Sequence, residues 1–129
     1  ADAILARQSD APAPVFDDRL VEVDYGPDEG LPETAVIARI GKGALEAWER
    51  DATVPPGWHV DPAALRQAWH DLLADAKDTT LIVTSNGVAR FVLDVAEHDG
   101  AERKLKTGAY GILQGSGDVW RVTEWNVRP

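Results

Sequence analysis

The sequence predicts an α+β fold in which a four-stranded antiparallel meander in the C-terminal half packs on two helices. The main observation is that residues 79–127 contain apolar-rich runs separated by three turn signals, at Asn86-Gly87, at Asp99-Gly100 and at residues 115–118. Each connection is too short for a crossover, so neighbouring strands must be antiparallel. Helical patterns precede the meander, which completes the α+β prediction.

The helix that leads into the meander has a clear start. Asp61 can cap a helix N-terminus, and the fixed φ of Pro62 suits the first helical position. The apolar spacing predicts a helix to about Ala76, and its buried stripe comprises Leu65, Trp69, Leu72, Leu73 and Ala76.

Residues 33–52 fit two descriptions. They form either one helix, or a strand over 34–40 followed by a helix over 42–51. The second is favoured, because β-branched residues precede Gly41 and Gly43, and each glycine costs a helix about 1 kcal/mol.

The front of the chain is acidic. Residues 1–14 are predicted to be a flexible leader, and residues 15–129 a single α+β domain that starts with a strand-like acidic segment at residues 15–25. Nine of the acidic residues, against two arginines, fall within residues 1–36 of a chain whose net charge is −9. Phosphate backbones need a basic surface, so nucleic acid is not an expected partner.

Composition narrows the classes of protein and site. There is no cysteine, hence no disulfide and no thiolate site, and no histidine spacing indicates a metal or cofactor. No apolar run approaches the ~18 residues of a membrane span. Ala1 fits removal of either an initiator Met or a signal peptide, and a cytoplasmic location is favoured over a secreted or periplasmic one.

Strand parity assigns the two faces of the meander. A two-residue loop at Asn86-Gly87 and a three-residue bulged loop at residues 99–101 give a consistent register. The face toward the helices then carries Ile82, Ala89, Phe91, Leu93, Val95, Leu105, Ala109, Leu113 and Val122. The opposite face carries an aromatic patch of Val92, Tyr110, Ile112 and Trp125, which needs a cover. The cover is either residues 15–25 of the same chain or, as is favoured, a protein partner, in the form of a second copy in a two-fold sheet-to-sheet dimer.

Two stretches resemble a known family. Residues 51–54 and 60–69, Asp-Ala-Thr-Val and Val-Asp-Pro-Ala-Ala-Leu-Arg-Gln-Ala-Trp, and the final run at residues 117–125, are similar to segments of the nuclear-transport-factor-2-like superfamily. The similarity covers about residues 44–129. It implies a cone-shaped fold with a cavity between helices and sheet. Members include isomerases, dehydratases, cyclases and non-catalytic binding or dimerising domains.

Three functions compete at this point. The first is a cone-type pocket for a small apolar ligand, lined by Trp58, His59, Thr107, Trp120, Glu124 and Asn126. The second is an acidic interaction module, such as an inhibitor, immunity-type or assembly subunit. The third is an acid/base lyase or isomerase that uses His59 and Glu124. Because no catalytic signature is recognised, a non-enzyme is favoured.

Overall fold

The structure, a computed structural model, describes residues 2–129 and is α+β. These residues form five α-helices and one two-stranded antiparallel sheet: α1 Asp2–Leu5, α2 Glu33–Ile40, α3 Lys42–Asp51, α4 Pro62–Asp75, α5 Asn86–Ala89, β1 Tyr110–Ser116 and β2 Val119–Val127. Short 3₁₀ helices cover Asp18–Leu20, Gly26–Asp28 and Arg90–Asp94. The predicted four-stranded meander is therefore wrong.

Only the last of the three predicted turns makes a hairpin. β1 and β2 meet at a two-residue turn, in which Ser116 pairs with Val119 and Gly117 adopts a φ of 58°. Such a turn needs positive φ, which glycine adopts at little cost. Leu113 lies opposite Val122.

Asn86-Gly87 opens a helix instead of a hairpin. α5 continues into the 3₁₀ helix Arg90–Asp94, so the backbone winds where a strand was expected. A strand would bury only alternate residues, whereas Phe91 and Val92 are both buried, at 0% and 2% exposure. Residues 95–109 form no strand: Glu97 makes only an isolated bridge, to Arg121 of β2, and the bulged turn at 99–101 does not form.

The strand expectations at the front are also wrong. Residues 15–25 contain the 3₁₀ helix Asp18–Leu20, and Asp24 makes only an isolated bridge, to His59. Residues 33–52 form α2 and α3, neither a single helix nor a strand followed by a helix. Gly41, with a φ of 85°, ends the first and precedes the second. A left-handed residue interrupts a helix without requiring a strand.

The predicted helix at Asp61 is confirmed. The Asp61 side chain accepts a hydrogen bond from the Ala64 amide at 3.0 Å, and α4 ends at Asp75. Trp69 and Leu73 on its apolar face are 5% and 7% exposed. The local capping signal and the apolar spacing were sufficient here, because both favour the same helix.

The core is built around aromatic rings from separate segments. The Trp48 ring of α3 lies 5.2 Å from that of Trp58 and 6.0 Å from that of Phe91, centroid to centroid. Trp69 joins them from α4 and donates from Nε1 to the Val88 carbonyl at 2.9 Å. α3, α4 and residues 88–93 thus surround the core. None of the helices within residues 2–129 is both long and apolar enough to cross a membrane.

Candidate functional site

Polar groups from residues 22–25 meet the start of α5 at one place in the fold. We call this the Glu22–Arg90 cluster, and it consists of Glu22, Tyr25, Asn86, Gly87 and Arg90. The first two come from the acidic front of the chain and the last three from α5 and the residue that follows it. More than sixty positions separate the two halves, so only the tertiary fold brings them together.

Gly87 allows this close approach. A Cβ atom on Gly87 would collide with Glu22 Oε1, and it would lie 2.8 Å from Val23 Cγ2 and 2.9 Å from the Tyr25 hydroxyl oxygen. Real Cβ atoms do not approach other atoms so closely, so any side chain here would displace its neighbours. Glycine is required because the carboxylate and the phenol pack directly against the backbone of α5.

Arg90 places a buried positive charge beneath the cluster. It is 1% exposed, donates from Nη1 to the Trp48 carbonyl at 2.7 Å, and stacks its guanidinium carbon 4.4 Å from the centre of the Trp48 ring. Within residues 2–129 it forms no ion pair with a carboxylate. Burial lowers the pKa of Arg90, but a guanidinium stays charged in proteins. The cation is therefore not neutralised by a contacting carboxylate.

Tyr25 supplies a hydroxyl that keeps its proton. Burial, and secondarily the negative charge of Glu22, raise the pKa of Tyr25 to about 12. At neutral pH the phenol is a hydrogen-bond donor. Glu22 itself is exposed, and its Oε1 accepts a hydrogen bond from the Val23 amide at 2.9 Å.

The Asn86 side chain is held by the loop that follows α5. Its Oδ1 accepts a hydrogen bond from the Leu105 amide at 2.8 Å. Within the described part of the chain no acceptor is bonded to the Asn86 amide nitrogen, which leaves that group as a donor for a ligand. Together the cluster offers two neutral donors, a buried cation and an exposed carboxylate. Such a set can hold an anion and exchange a proton with it.

The predicted ligand residues Trp58 and His59 lie in the connector between α3 and α4. Trp58 is 8% exposed and donates from Nε1 to Asp28 Oδ2 at 2.7 Å. Arg39 bonds the same carboxylate, with Nε on Oδ1 at 2.6 Å, and also donates to the Pro56 carbonyl at 2.8 Å. The indole thus packs in the core and has its partner.

His59 is exposed and has a carboxylate partner. Its Nδ1 lies 3.0 Å from Asp24 Oδ2, and 74% of its side chain is exposed. The partner expected from the sequence, Glu124, does not bond to it.

The remaining predicted ligand residues lie on or near the β1–β2 hairpin. Thr107 and Glu124 are exposed, and Trp120 is half-buried with its Nε1 donating to the Gly117 carbonyl at 2.8 Å. Asn126, with a φ of 58°, accepts a hydrogen bond from the Lys106 amide at 2.9 Å. No hydrogen bond, ion pair or ring contact among residues 2–129 joins this group to Trp58 or His59.

The four residues of the predicted outer patch do not share a surface. Val92 is 2% exposed and belongs to the core, Trp125 is half-buried, and Tyr110 and Ile112 are 42% and 38% exposed. The alternation of a strand predicts that Val92 is on the outer face, but residues 90–94 form a 3₁₀ helix and Val92 is buried. The association of two copies of the chain through the outer face of the sheet stays a prediction.

Two hollows open on the surface, and both are partly acidic. One, of about 310 Å³, lies over Tyr25 and Trp58 and is rimmed by Glu29 and Glu33. The other, of about 380 Å³, contains the exposed Glu124 with His98, Asp99, Arg121 and Trp125. Arg121 there is already paired, with Asp99 at 2.5 Å. Neither hollow is lined by a lysine, or by an arginine that lacks an ion-pair partner among residues 2–129.

Comparison with known proteins decides the family. The sequence profile of the histidine phosphatase superfamily (branch 1) matches residues 1–128. The chain belongs to this superfamily. No curated protein and no solved structure matches the chain. The match includes every residue of the Glu22–Arg90 cluster.

Membership in the histidine phosphatase superfamily corrects four expectations. The resemblance to the nuclear-transport-factor-2-like superfamily is wrong, as are the functions weighed on the sequence: the cone-type pocket, the acidic interaction module and the lyase or isomerase. The expectations of apolar-ligand binding and of a protein-interaction role are wrong for the same reason. The preference for a non-enzyme is also wrong, because this is a family of phosphatases. The resemblance rested on scaffold features, a helix followed by strands, which unrelated folds share.

Sequence reasoning missed the cluster for identifiable reasons. The Asn86-Gly87 pattern predicts a turn, and the residues that follow it a strand, whereas residues 86–94 are helical. One signal was available: Arg90 is the only charged residue in the apolar run of residues 87–93. A lone cation in such a run indicates a buried, specifically bonded arginine once a helix is considered.

Proposed function

We propose that this member of the histidine phosphatase superfamily acts on phosphate monoesters at the Glu22–Arg90 cluster. The observation that carries the proposal is the family match, which spans the whole cluster. The chemistry of the cluster supports it, because a phosphate ester brings two negative charges and Arg90 has no ion-pair partner within residues 2–129. The acidic surface elsewhere would repel the same ligand.

Each residue of the cluster has a role in this proposal. Arg90 acts from beneath, through the positive field it creates at the start of α5, while the Tyr25 hydroxyl and the Asn86 amide donate hydrogen bonds to phosphate oxygens. Gly87 lets Glu22 and Tyr25 approach the backbone of α5. Glu22 faces the ester oxygen as the proton donor.

The proposed reaction is the hydrolysis of a phosphate monoester to an alcohol and inorganic phosphate. Water forms a new bond to phosphorus as the ester P–O bond breaks, and the leaving oxygen takes its proton from the Glu22 carboxylic acid. The attacking water releases a proton to Glu22, which restores the carboxylic acid and leaves hydrogen phosphate as the second product.

The histidines of this chain lie outside the cluster. His59 bonds Asp24, His70 lies 3.4 Å from Asp118, and the His98 ring packs 6.4 Å from that of Trp125. The charged neighbour of His59 is the Asp24 carboxylate, whose negative charge would repel a bound phosphate. The proposal therefore assigns anion binding and proton donation to the cluster, and no covalent step to a histidine.

Hydrolysis of p-nitrophenyl phosphate tests the proposal, together with binding of inorganic phosphate followed by NMR. Glu22→Gln keeps the shape but not the proton, so kcat is expected to fall by roughly 10²–10⁴-fold while phosphate still binds. Glu33→Gln is the control, because that carboxylate is exposed on α2 and lies outside the cluster. A wild type that neither binds phosphate nor hydrolyses the ester overturns the proposal.

Asn86→His gives a second, independent arm. Nδ1 of the introduced imidazole can accept the hydrogen bond from the Leu105 amide that Asn86 Oδ1 now accepts. The Nε2–H group of the ring then faces the ligand. We expect hydrolysis to increase, because the imidazole Nε2–H donates to a phosphate oxygen and, unlike an amide, the ring can exchange a proton with it. An unchanged rate in a folded variant would place the reaction elsewhere.

A further inference from the structure

The loop that precedes β1 carries a short basic run beside the Glu22–Arg90 cluster, in a chain whose net charge is −9. Its cations are Arg103, Lys104 and Lys106. Two of them are already paired: Arg103 donates to Asp94 Oδ1 at 2.6 Å, and Lys104 Nζ donates to Glu49 Oε1 at 2.9 Å. Lys106 is exposed and forms no ion pair among residues 2–129. Its positive charge is therefore available to a ligand.

Two side-chain amides fix the backbone of this loop at Lys106. Asn86 Oδ1 of the cluster accepts a hydrogen bond from the Leu105 amide at 2.8 Å, and Asn126 Oδ1 of β2 accepts one from the Lys106 amide at 2.9 Å. Asn126 does so with a φ of 58°, a left-handed conformation that asparagine adopts more readily than most residues. Consecutive amides of the loop are thus bonded to the cluster and to the hairpin, which holds residue 106 close to Asn86.

Lys106 lies within reach of a ligand that Asn86 binds. Consecutive Cα atoms are about 3.8 Å apart, and the ammonium group of a lysine is carried on a flexible four-carbon stem. The residue after Leu105 can therefore bring its charge to an anion that is bonded to the Asn86 amide nitrogen. The cluster lacks such a contact, because Arg90 is 1% exposed and acts on a phosphate through its field, while its other donors are neutral.

We propose that Lys106 is a further binding residue of the Glu22–Arg90 cluster, and that its ammonium group contacts the phosphate group of the ester directly. The inference rests on the proposed function of that cluster. A charge-assisted contact binds phosphate more strongly than a neutral donor does. Asn126 is a positioning residue, because it holds the Lys106 backbone and acts on the ligand only through Lys106.

Binding of inorganic phosphate, followed by NMR, and hydrolysis of p-nitrophenyl phosphate test this contact. Lys106→Gln is expected to raise the dissociation constant for phosphate and the KM about tenfold. The kcat should change by less than about twofold, because a contact made equally in the ground state and the transition state affects binding alone. The affinity should also depend less on salt concentration than in the wild type, since one ion pair is lost.

Two variants separate the charge of Lys106 from other effects of substitution. Lys106→Arg keeps the charge and should retain most of the affinity for phosphate. Lys42→Gln is the control for net charge, because that lysine is 76% exposed on α3 and pairs with Glu46. It should change neither the dissociation constant nor the KM.

Asn126→Gly tests the positioning role. Glycine adopts the positive φ but lacks the carbonyl that holds the Lys106 amide. The variant should weaken phosphate binding about threefold by itself, and it should have no further effect in the Lys106→Gln background. A purely structural effect at residue 126 would add to that of Lys106→Gln in the double variant, and this result would overturn the positioning role.

Failure of this inference is distinguishable from failure of the proposed function. If Lys106→Gln binds phosphate as tightly as a wild type that does bind it, the role of Lys106 is overturned and the cluster remains the phosphate site. A loss of affinity in Lys42→Gln equal to that in Lys106→Gln also overturns it, because net charge alone would then explain both. A wild type that binds no phosphate overturns both proposals.

Discussion

Gly87→Ala tests whether Glu22 and Tyr25 really pack against α5. The added Cβ would meet Glu22 Oε1, Val23 Cγ2 and the Tyr25 hydroxyl oxygen, the last two at 2.8 and 2.9 Å. In an open helical site the same change would stabilise by about 1 kcal/mol. Overpacking of a close contact costs about 1–3 kcal/mol, and three groups must move here, so we expect a net loss of about 1–2 kcal/mol in the free energy of unfolding.

Urea unfolding followed by tryptophan fluorescence measures this difference, and Gly43→Ala is the matched control. Gly43 is also helical, in α3, but nothing lies within 4 Å of the position of its Cβ. That variant should gain about 0.5–1 kcal/mol. The two glycines should therefore respond with opposite sign. Equal gains at both positions would mean that residues 22–25 do not pack on α5, and the Glu22–Arg90 cluster would not exist.

Two further predictions concern the core and the pH dependence. Trp69→Ala should cost about 3–5 kcal/mol in urea unfolding, because the ring is buried and its Nε1 bonds Val88; a loss below about 1 kcal/mol would contradict that burial. The Arg39 guanidinium, with a smaller contribution from Trp58, holds the pKa of the Asp28 carboxyl below its usual range. The charged Asp28 side chain therefore stabilises the fold fully at pH values above about 3.9, the ordinary pKa of an aspartate. This stabilisation is lost as the pH falls through the lower pKa that Asp28 has in the folded protein. Asp28→Asn should lessen the loss of stability in acid, and an unchanged acid profile would contradict this.

The parts of the fold that the sequence predicted correctly are those with strong local signals. Asp61 and Pro62 start α4 through contacts within one helical turn. The turn at residues 115–118 forms because its glycines permit the required φ between two runs that pair with each other. In both cases neighbours in sequence supply the stabilising interactions, so spacing alone was informative.

Residues 79–94 show where local reasoning fails. The run before Asn86 is rich in β-forming residues, and Asn-Gly is a strong hairpin signal, yet Asn is also at home near a helix start. Tertiary contacts determine the conformation of this stretch. Trp69 donates a hydrogen bond to the Val88 carbonyl, and the Phe91 ring packs on the Trp48 ring. The Val88 carbonyl and the Phe91 side chain both reach these partners from a helical backbone. Such contacts override propensity and cannot be seen in spacing.

The candidate site was harder to predict than the fold. Its residues carry no fixed spacing, since Glu22 and Arg90 meet only after α3 and α4 have packed. Its central cation, Arg90, is unusual because it is buried and forms no ion pair with a carboxylate within residues 2–129. A charged residue in a predicted strand is expected on the surface instead. Recognition of the family required a comparison over residues 1–128, because no short motif within the chain identified it.

The Asp28 carboxylate has a consequence for how the molecule opens. It joins three segments that are distant in sequence: its own 3₁₀ helix, α2 through Arg39, and the connector through Trp58. Arg39 also holds the Pro56 carbonyl. Breaking any one of these bonds leaves a buried charge with fewer partners, so the three segments should detach together as a cooperative unit. A protease that cleaves the connector would then depend on partial unfolding of all three, despite the position of the connector at the surface.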